Sequence, residues 1–332
     1  MRSWRLVAGG TRARLGAVAL VFLALASCGG ANAPSGGGNA SQTPSGTGAR
    51  NGEAVISASP AASADIERPA VAPTATPAPR LPTATPTAAP LPQAKRIGPL
   101  PFISQTLNNC GPASIAEVLS YYGVQRSQAQ VASVLRPDLP DYGMSLYGVP
   151  FYAESVGMKA TGGIDGTAQL VKAFVANGLP VIVADMVSPT DHTRHFRPID
   201  GYDDQAGYFI GSDPYLGPNH KISYADFDAI WTISTERWVV IYPPDKQPLV
   251  DSIVRAYWSK SQAIQVGLQK AQERMAQQPR LPWTWLELAD TQIDAGDLQG
   301  AAANIQKGSQ LGLPFEAHWL QMKLQRAASG AA

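Results

Sequence analysis

Cysteine is nearly absent from this chain: two of 332 residues, Cys28 and Cys110. With Cys28 inside an N-terminal export segment, no internal disulfide is expected to hold the fold. Charge is scarce as well, at 15% of residues, and the formal net charge is +1. No block of like charges forms a basic tail or groove, so nucleic acid is excluded as a partner. Histidine is limited to four residues. No His/Cys spacing suits a metal and no glycine-rich loop suits a phosphate, so no cofactor is expected. Long apolar runs are also missing. The run Leu15 to Ala26 has twelve residues, short of the roughly 20 that a membrane-crossing helix needs.

That short run is still informative. Arg2, Arg5, Arg12 and Arg14 give it a positive flank, and it ends in Leu25-Ala26-Ser27-Cys28. The pattern is that of an export signal, and its end resembles a bacterial lipobox. The resemblance implies cleavage before Cys28 and lipid on its sulfur; the alternative is an ordinary secretory signal with a chance cysteine. Residues 1–28 are therefore expected to be a lipoprotein signal peptide. The mature chain is then lipid-anchored to a cell membrane, facing the extracellular or periplasmic side. Residues 29–95 are rich in Ala, Gly, Ser, Thr and Pro, with Pro-Thr-Ala-Thr-Pro recurring near Pro73 and Pro82. Such a stretch cannot bury enough surface to offset its ordering entropy, and it reads as a disordered tether spanning roughly 45 Å as a coil.

Residues 96–245 carry the patterns of an α+β domain. Asn109 is placed to cap a helix whose apolar face is Ile115, Val118, Leu119 and Tyr122, with Gly123 ending it. Further helices are expected over 127–135, 146–155 and 167–176. Strands follow at 181–184, 195–202 and 208–212, the last two flanking the turn 203–207 as a hairpin. Asp191-His192-Thr193 reads as loop. Ser223 can cap a short helix carrying Phe227 and Trp231, and 238–242 reads as a closing strand before Pro243-Pro244. Residues 250–328 show helical periodicity alone, in stripes such as Ile264, Leu268, Ala271 and Met275, or Trp285, Leu288, Ala289 and Ile293. Their spacing with Gly296, Ala301 and Pro314 resembles a tetratricopeptide repeat. Two readings stand: a protein-partner groove, or a helical cap on the preceding domain.

The candidate chemistry centres on Cys110. It sits in Gln105-Thr106-Leu107-Asn108-Asn109-Cys110-Gly111-Pro112, at an expected helix start. A helix N-terminus favours a thiolate, and proline suits a first helical turn. His195 is a candidate general base and Asp213 the carboxylate that orients it. The Cys110 amide would face a developing oxyanion, with Gln105 as a second donor. Bland readings exist for each residue: an inert buried cysteine, a surface histidine, a turn aspartate before proline. His192 competes with His195 as the base.

In combination, Gln105 through Ser114, His195-Phe196, Gly201-Tyr202-Asp203 and Asp213-Pro214-Tyr215 resemble the C39-like peptidase family. The resemblance implies a papain-like cysteine peptidase fold over about residues 97–244. It also implies Cys110 as nucleophile, His195 as base, Asp213 as orienter and Gln105 as oxyanion helper. The chain departs from the family pattern in four places. Asn109 stands for an aspartate, Gln105 lies five residues before the cysteine where six is typical, Arg194 replaces a glycine, and Arg197-Pro198 interrupts an apolar strand. The internal proline predicts an edge strand or a bulge. The expected function is an exported, lipid-anchored cysteine peptidase or amide hydrolase acting on a peptide or protein. Acyl transfer is a variant of the same chemistry. The alternative is a catalytically silent peptidase-fold binding module whose helical tail recruits a protein partner.

Overall fold

A single antiparallel sheet organises the chain. The computed structural model describes residues 90–137 and 143–330; the expected signal peptide, Cys28 and the tether up to residue 89 lie outside these. In chain order the elements are β1 (Ala94–Arg96), α1 (Cys110–Tyr121), α2 (Gln128–Leu135), α3 (Val149–Ser155), β2 (Lys159–Gly163), α4 (Ala168–Ala176), β3 (Val181–Ser188), β4 (Asp191–Asp203), β5 (Tyr208–Asp213), β6 (Gly217–Ser223), α5 (Tyr224–Thr232) and β7 (Arg237–Tyr242). Helices α6 (Gln247–Tyr257), α7 (Lys260–Gln277), α8 (Pro282–Ala295), α9 (Leu298–Gln310) and α10 (Pro314–Ala328) follow. The strand order is β2-β7-β3-β4-β5-β6, with β1 pairing β4. The fold is α+β, with an all-helical C-terminal region.

Local signals place most of these elements. Ser127 Oγ accepts from the Gln130 amide at 3.1 Å, while Gln130 Oε1 accepts from the Ser127 amide at 2.9 Å. This reciprocal box starts α2 and contributes about 1 kcal/mol. Thr167 and Ser223 cap α4 and α5 by a single bond each, accepting the Leu170 and Asp226 amides. Gly296, at φ +83°, closes α8 in the left-handed region that glycine tolerates.

The sheet is covered on both faces, and strand alternation divides its residues between two cores. Ile182, Ala184, Val239 and Ile241 join the core built by α1, α2 and α3. Val181, Val183, Trp238 and Val240 join the core built by α4, α5 and α6. Burial on both faces is why residues 181–184 read as an unbroken apolar run.

The C-terminal helices belong to the first core. Leu286, Ala289, Ile293, Ala301, Ile305 and Leu320 cluster with Ile115 and Leu119. Trp319 lies against the bare backbone of Gly148, where an added Cβ would meet its ring at 2.7 Å, and it stacks on Phe151 at 5.8 Å. Arg326 binds Glu154 through two bonds of 2.9 Å. This is the packing of a helical cap.

Several elements differ from the sequence expectation. Asp191-His192-Thr193 is not loop but the start of β4, a 13-residue strand. The third helix begins at Val149 and not at residue 146. β2 and β6 have no counterpart in the sequence expectation, α6 begins at Gln247, three residues before the expected helical region, and β1 pairs with β4 across the boundary expected at residue 96. In α8 the deepest residue is Leu286, while Trp285 is half-buried. β4 lies inside the sheet, but its second side is free of strand pairing before Ile199, so Pro198 sits on a local edge beside an irregularity, as its presence in the strand predicts. β4 pairs with β3 from Asp191 to Ile199, whereas pairing with β5 begins only at Ile199, beside an irregularity between Ile199 and Gly201. Phe196 turns its carbonyl away from β3, toward Ser114 of α1. Residue 198 points the same way, so its missing N–H removes no bond to β3.

Candidate active site

Cys110 opens α1, so its amide is among those with no partner inside the helix. The expected cap does not form. The Asn109 side chain makes no capping bond; it donates to Thr106 Oγ1 at 2.7 Å and accepts from Arg136. The approach to the cysteine is fixed by other bonds. Ile103 N donates to Glu117 Oε1 at 2.7 Å, and Gln105 N donates to Pro214 O at 2.9 Å. Gln128 brackets the same segment, donating to Ser104 O and accepting from Thr106 N, both at 2.8 Å. Glu117 lies two turns beyond Cys110 and is fully buried. Burial raises its carboxyl to about 8, against the pull of the Ile103 amide.

The free edge of β4 receives α1. Ser114 Oγ donates to Phe196 O at 3.1 Å, and the Phe196 amide hydrogen-bonds the Cys110 thiol. Both unpaired groups of Phe196 are therefore taken up by the cysteine helix. This sets the sulfur beside the His195-Phe196 peptide. Burial pushes the Cys110 thiol up in pKa; the amides of Phe196 and Gly111 oppose this, and the charges of Asp185 and Asp213 add to it.

His195 Nε2 lies 3.0 Å from Asp213 Oδ1, with both side chains buried. Asp213 Oδ1 also accepts the Tyr215 and Leu216 amides, each at 2.8 Å. Burial alone would raise this carboxyl. The His195 hydrogen bond, the charges of His195 and Arg197 and the Leu216 amide prevail and hold it down to about 2. His192 lies apart, exposed, with Nε2 3.1 Å from Pro189 O.

Two further charged residues complete this network: Arg197, which in the sequence only interrupts an apolar strand, and Asp185, which no sequence motif marks. Arg197, 1% exposed, sits with Nε 2.8 Å from Asp185 Oδ2 and Nη1 3.1 Å from Asp213 Oδ2. Its Nη2 donates to Met186 O at 2.7 Å and Val187 O at 3.1 Å. Asp185 is the cross-strand partner of His195, and Arg197 follows two residues on, so all three share one face. Burial raises Asp185 to about 8, with Arg197 opposing. The available signal was a charge of each sign inside otherwise apolar strands. A buried ion must be paired, and these two pair with each other.

Gln105, Cys110 and His195 line one cavity of 440 Å³, and Asp213 lies behind the histidine. Gln105 Oε1 is buried without a hydrogen-bond partner. Much of the wall is apolar, including Met144, Tyr147 and Phe196, and α8 adds Trp283 and Glu287. Among the described residues no group of three His, Cys, Asp or Glu could hold a metal, and no helix is long and apolar enough to cross a membrane.

No curated protein matches the chain. Among solved structures, one match is a double glycine motif protease from an AMS/PCAT transporter in complex with the leader peptide. It is 24% identical with a TM-score of 0.35, covering 45% of this chain and 94% of that one. Another is the peptidase domain of Streptococcus ComA, a bi-functional ABC transporter involved in a quorum sensing pathway. It is 23% identical with a TM-score of 0.35, covering 43% of this chain and 97% of that one. Residues 95–238, which hold all four candidate site residues, match the model of the Peptidase_C39 like family.

Proposed function

We propose that the chain is a cysteine peptidase or amide hydrolase using Cys110, His195 and Asp213, with Gln105 beside the oxyanion site. The observation that carries this reading is the buried His195–Asp213 pair at 3.0 Å, behind a cavity lined by Cys110, His195 and Gln105. With Nε2 engaged by Asp213, Nδ1 is the ring nitrogen left to take the thiol proton. The sulfur then attacks a peptide carbonyl. Negative charge builds on the carbonyl oxygen, facing the Cys110 amide and the Gln105 side chain. His195 returns its proton to the leaving amine as the C–N bond breaks, leaving a thioester. Water, deprotonated by the same histidine, cleaves the thioester and restores the thiol. Lipid on Cys28 would hold the enzyme at a membrane, facing the extracellular or periplasmic side.

The test is digestion of a peptide library by the full chain and by Cys110→Ala, read by mass spectrometry. Cleavage by the first and not the second is the expected result. Cleavage that survives in Cys110→Ala refutes the assignment.

One observation favours a silent binding module instead. Burial, with Asp185 and Asp213 nearby, disfavours the thiolate. Alkylation of Cys110 separates the readings. An activated thiol labels at pH 6 and loses that reactivity in His195→Ala, whereas a silent one labels no faster than a free peptide thiol.

A further inference from the structure

Helix α8 lies beyond the C39-like segment, which ends at Trp238, yet it reaches the catalytic cavity. Trp283 and Glu287 stand one turn apart on one face of the helix, and both line the same cavity as Cys110 and His195. Their position is fixed. Arg237, at the cavity wall, binds Asp290 of α8 at 2.9 Å, and Lys323 of α10 binds the same carboxylate at 2.7 Å. Behind them Leu286 and Ala289 are part of the core shared with α1. Glu287 meets Arg274 at 3.1 Å and reaches Arg194, the neighbour of His195, at 3.5 Å. Trp283 is half-buried; part of its ring rests on the core and the remainder faces the cavity.

We propose that the C-terminal helices complete the substrate cleft, and that Trp283 is a specificity-determining residue that takes an apolar side chain of the bound peptide. The inference rests on the peptidase reading above for its substrate class. An indole wall beside apolar side chains gains by excluding water from a Leu, Met or Phe side chain, and gains nothing from Gly or Ser. Arg194, which also lines the cavity, is largely exposed and lies 3.5 Å from Glu287.

The experiment uses the full chain in a Cys110→Ala background, so that binding is read without turnover. Fluorescein-labelled peptides carrying Leu or Ser at each position in turn are titrated and followed by anisotropy. Trp283→Ala should weaken the best Leu peptide about tenfold, the scale of a lost apolar contact, and leave its Ser counterpart within about twofold. Trp283→Phe should retain the Leu preference. Thermal unfolding of each variant identifies any global loss of structure, and Trp283→Phe keeps the test valid if Trp283→Ala is destabilised. An unchanged Leu/Ser ratio in a folded Trp283→Ala protein overturns the inference, as does binding confined to peptides without apolar residues. Failure of the peptidase reading looks different, with no Cys110-dependent cleavage even while the Leu preference and its dependence on Trp283 persist.

Discussion

Replacing Arg197 with methionine should destabilise the protein more at high pH than at low pH. The side chain is 1% exposed and lies between two buried carboxylates, Asp185 at 2.8 Å and Asp213 at 3.1 Å. Methionine fills much of the volume, so the loss is electrostatic. Removing one partner of a buried ion pair costs about 3–5 kcal/mol, which lowers the melting temperature by roughly 6–20 °C in a protein of this size. The pH dependence follows from Asp185. Burial already raises its carboxyl from 3.8 to about 8, and Arg197 opposes that rise. Without Arg197 the folded-state pKa moves further up. Such a group holds its proton in the folded state, so stability is fully present below 3.8 and is lost as pH rises through the folded value. The variant should therefore lose more at pH 9 than at pH 6. Asp185→Leu/Arg197→Met removes that carboxyl as well and should regain the part of the loss that grows with pH, while Asp213 keeps His195 as its partner. Urea and thermal unfolding at the two pH values read all three proteins. A double variant no more stable than Arg197→Met, or a cost independent of pH, refutes the reasoning.

Glu117→Gln tests the buried carboxyl beneath Cys110. With a folded pKa of about 8 against 4.5, wild-type Glu117 withdraws stability as pH rises through that window, by up to about 1.4 kcal/mol per unit. The variant's urea midpoint should fall less steeply over the same range, and parallel curves would reject this role. Gly148→Ala should destabilise by about 1–3 kcal/mol through overpacking, because its Cβ would meet Trp319 at 2.7 Å. Backbone strain plays no part, since Gly148 has φ −81°. A melting temperature equal to wild type would show that Trp319 gives way freely. Cys28→Ser should release the protein from the membrane fraction with its unfolding curve unchanged, and a variant still found in the membrane pellet rejects the lipobox reading.

What could be read in the sequence was what local chemistry decides. Ser127 with Gln130, Thr167 and Ser223 mark helix starts because their side chains bond amides three residues away. Cys110, His195 and Asp213 stand out because their residue types are scarce or sit beside punctuating residues. The missed strands lie at sheet ends, where alternation fades. β2 is Lys159-Ala160-Thr161-Gly162-Gly163, with no buried residue, and β6 buries Ile222 alone. Each is defined by its partner, β7 or β5, and not by its own pattern. Arg197 and Asp185 were unreadable for a related reason. Each looks like a flaw in an apolar strand, and only the register pairing Val183 with Arg197 and Asp185 with His195 turns two flaws into one ion pair.

The departures from the C39-like pattern also explain one another. Arg197 in an apolar strand position requires counter-charges, and Asp185 and Asp213 supply them. Asn109, in place of an acid, binds the Arg136 guanidinium as a neutral acceptor and leaves no added negative charge beside the thiol. Arg194, in place of glycine, reaches Glu287 of α8. A short neutral residue there would leave that carboxylate to Arg274 alone. Arg237, at the end of the matched segment, likewise takes its carboxylate partner, Asp290, from α8. The boundary expected near residues 245–250 thus separates two stretches of sequence but not two cores. Leu286 and Ile293 close the same hydrophobic cluster that buries Cys110. A substitution that loosens α8 therefore acts on the wall of the candidate cavity through packing and through Arg194, with no need to touch Cys110, His195 or Asp213.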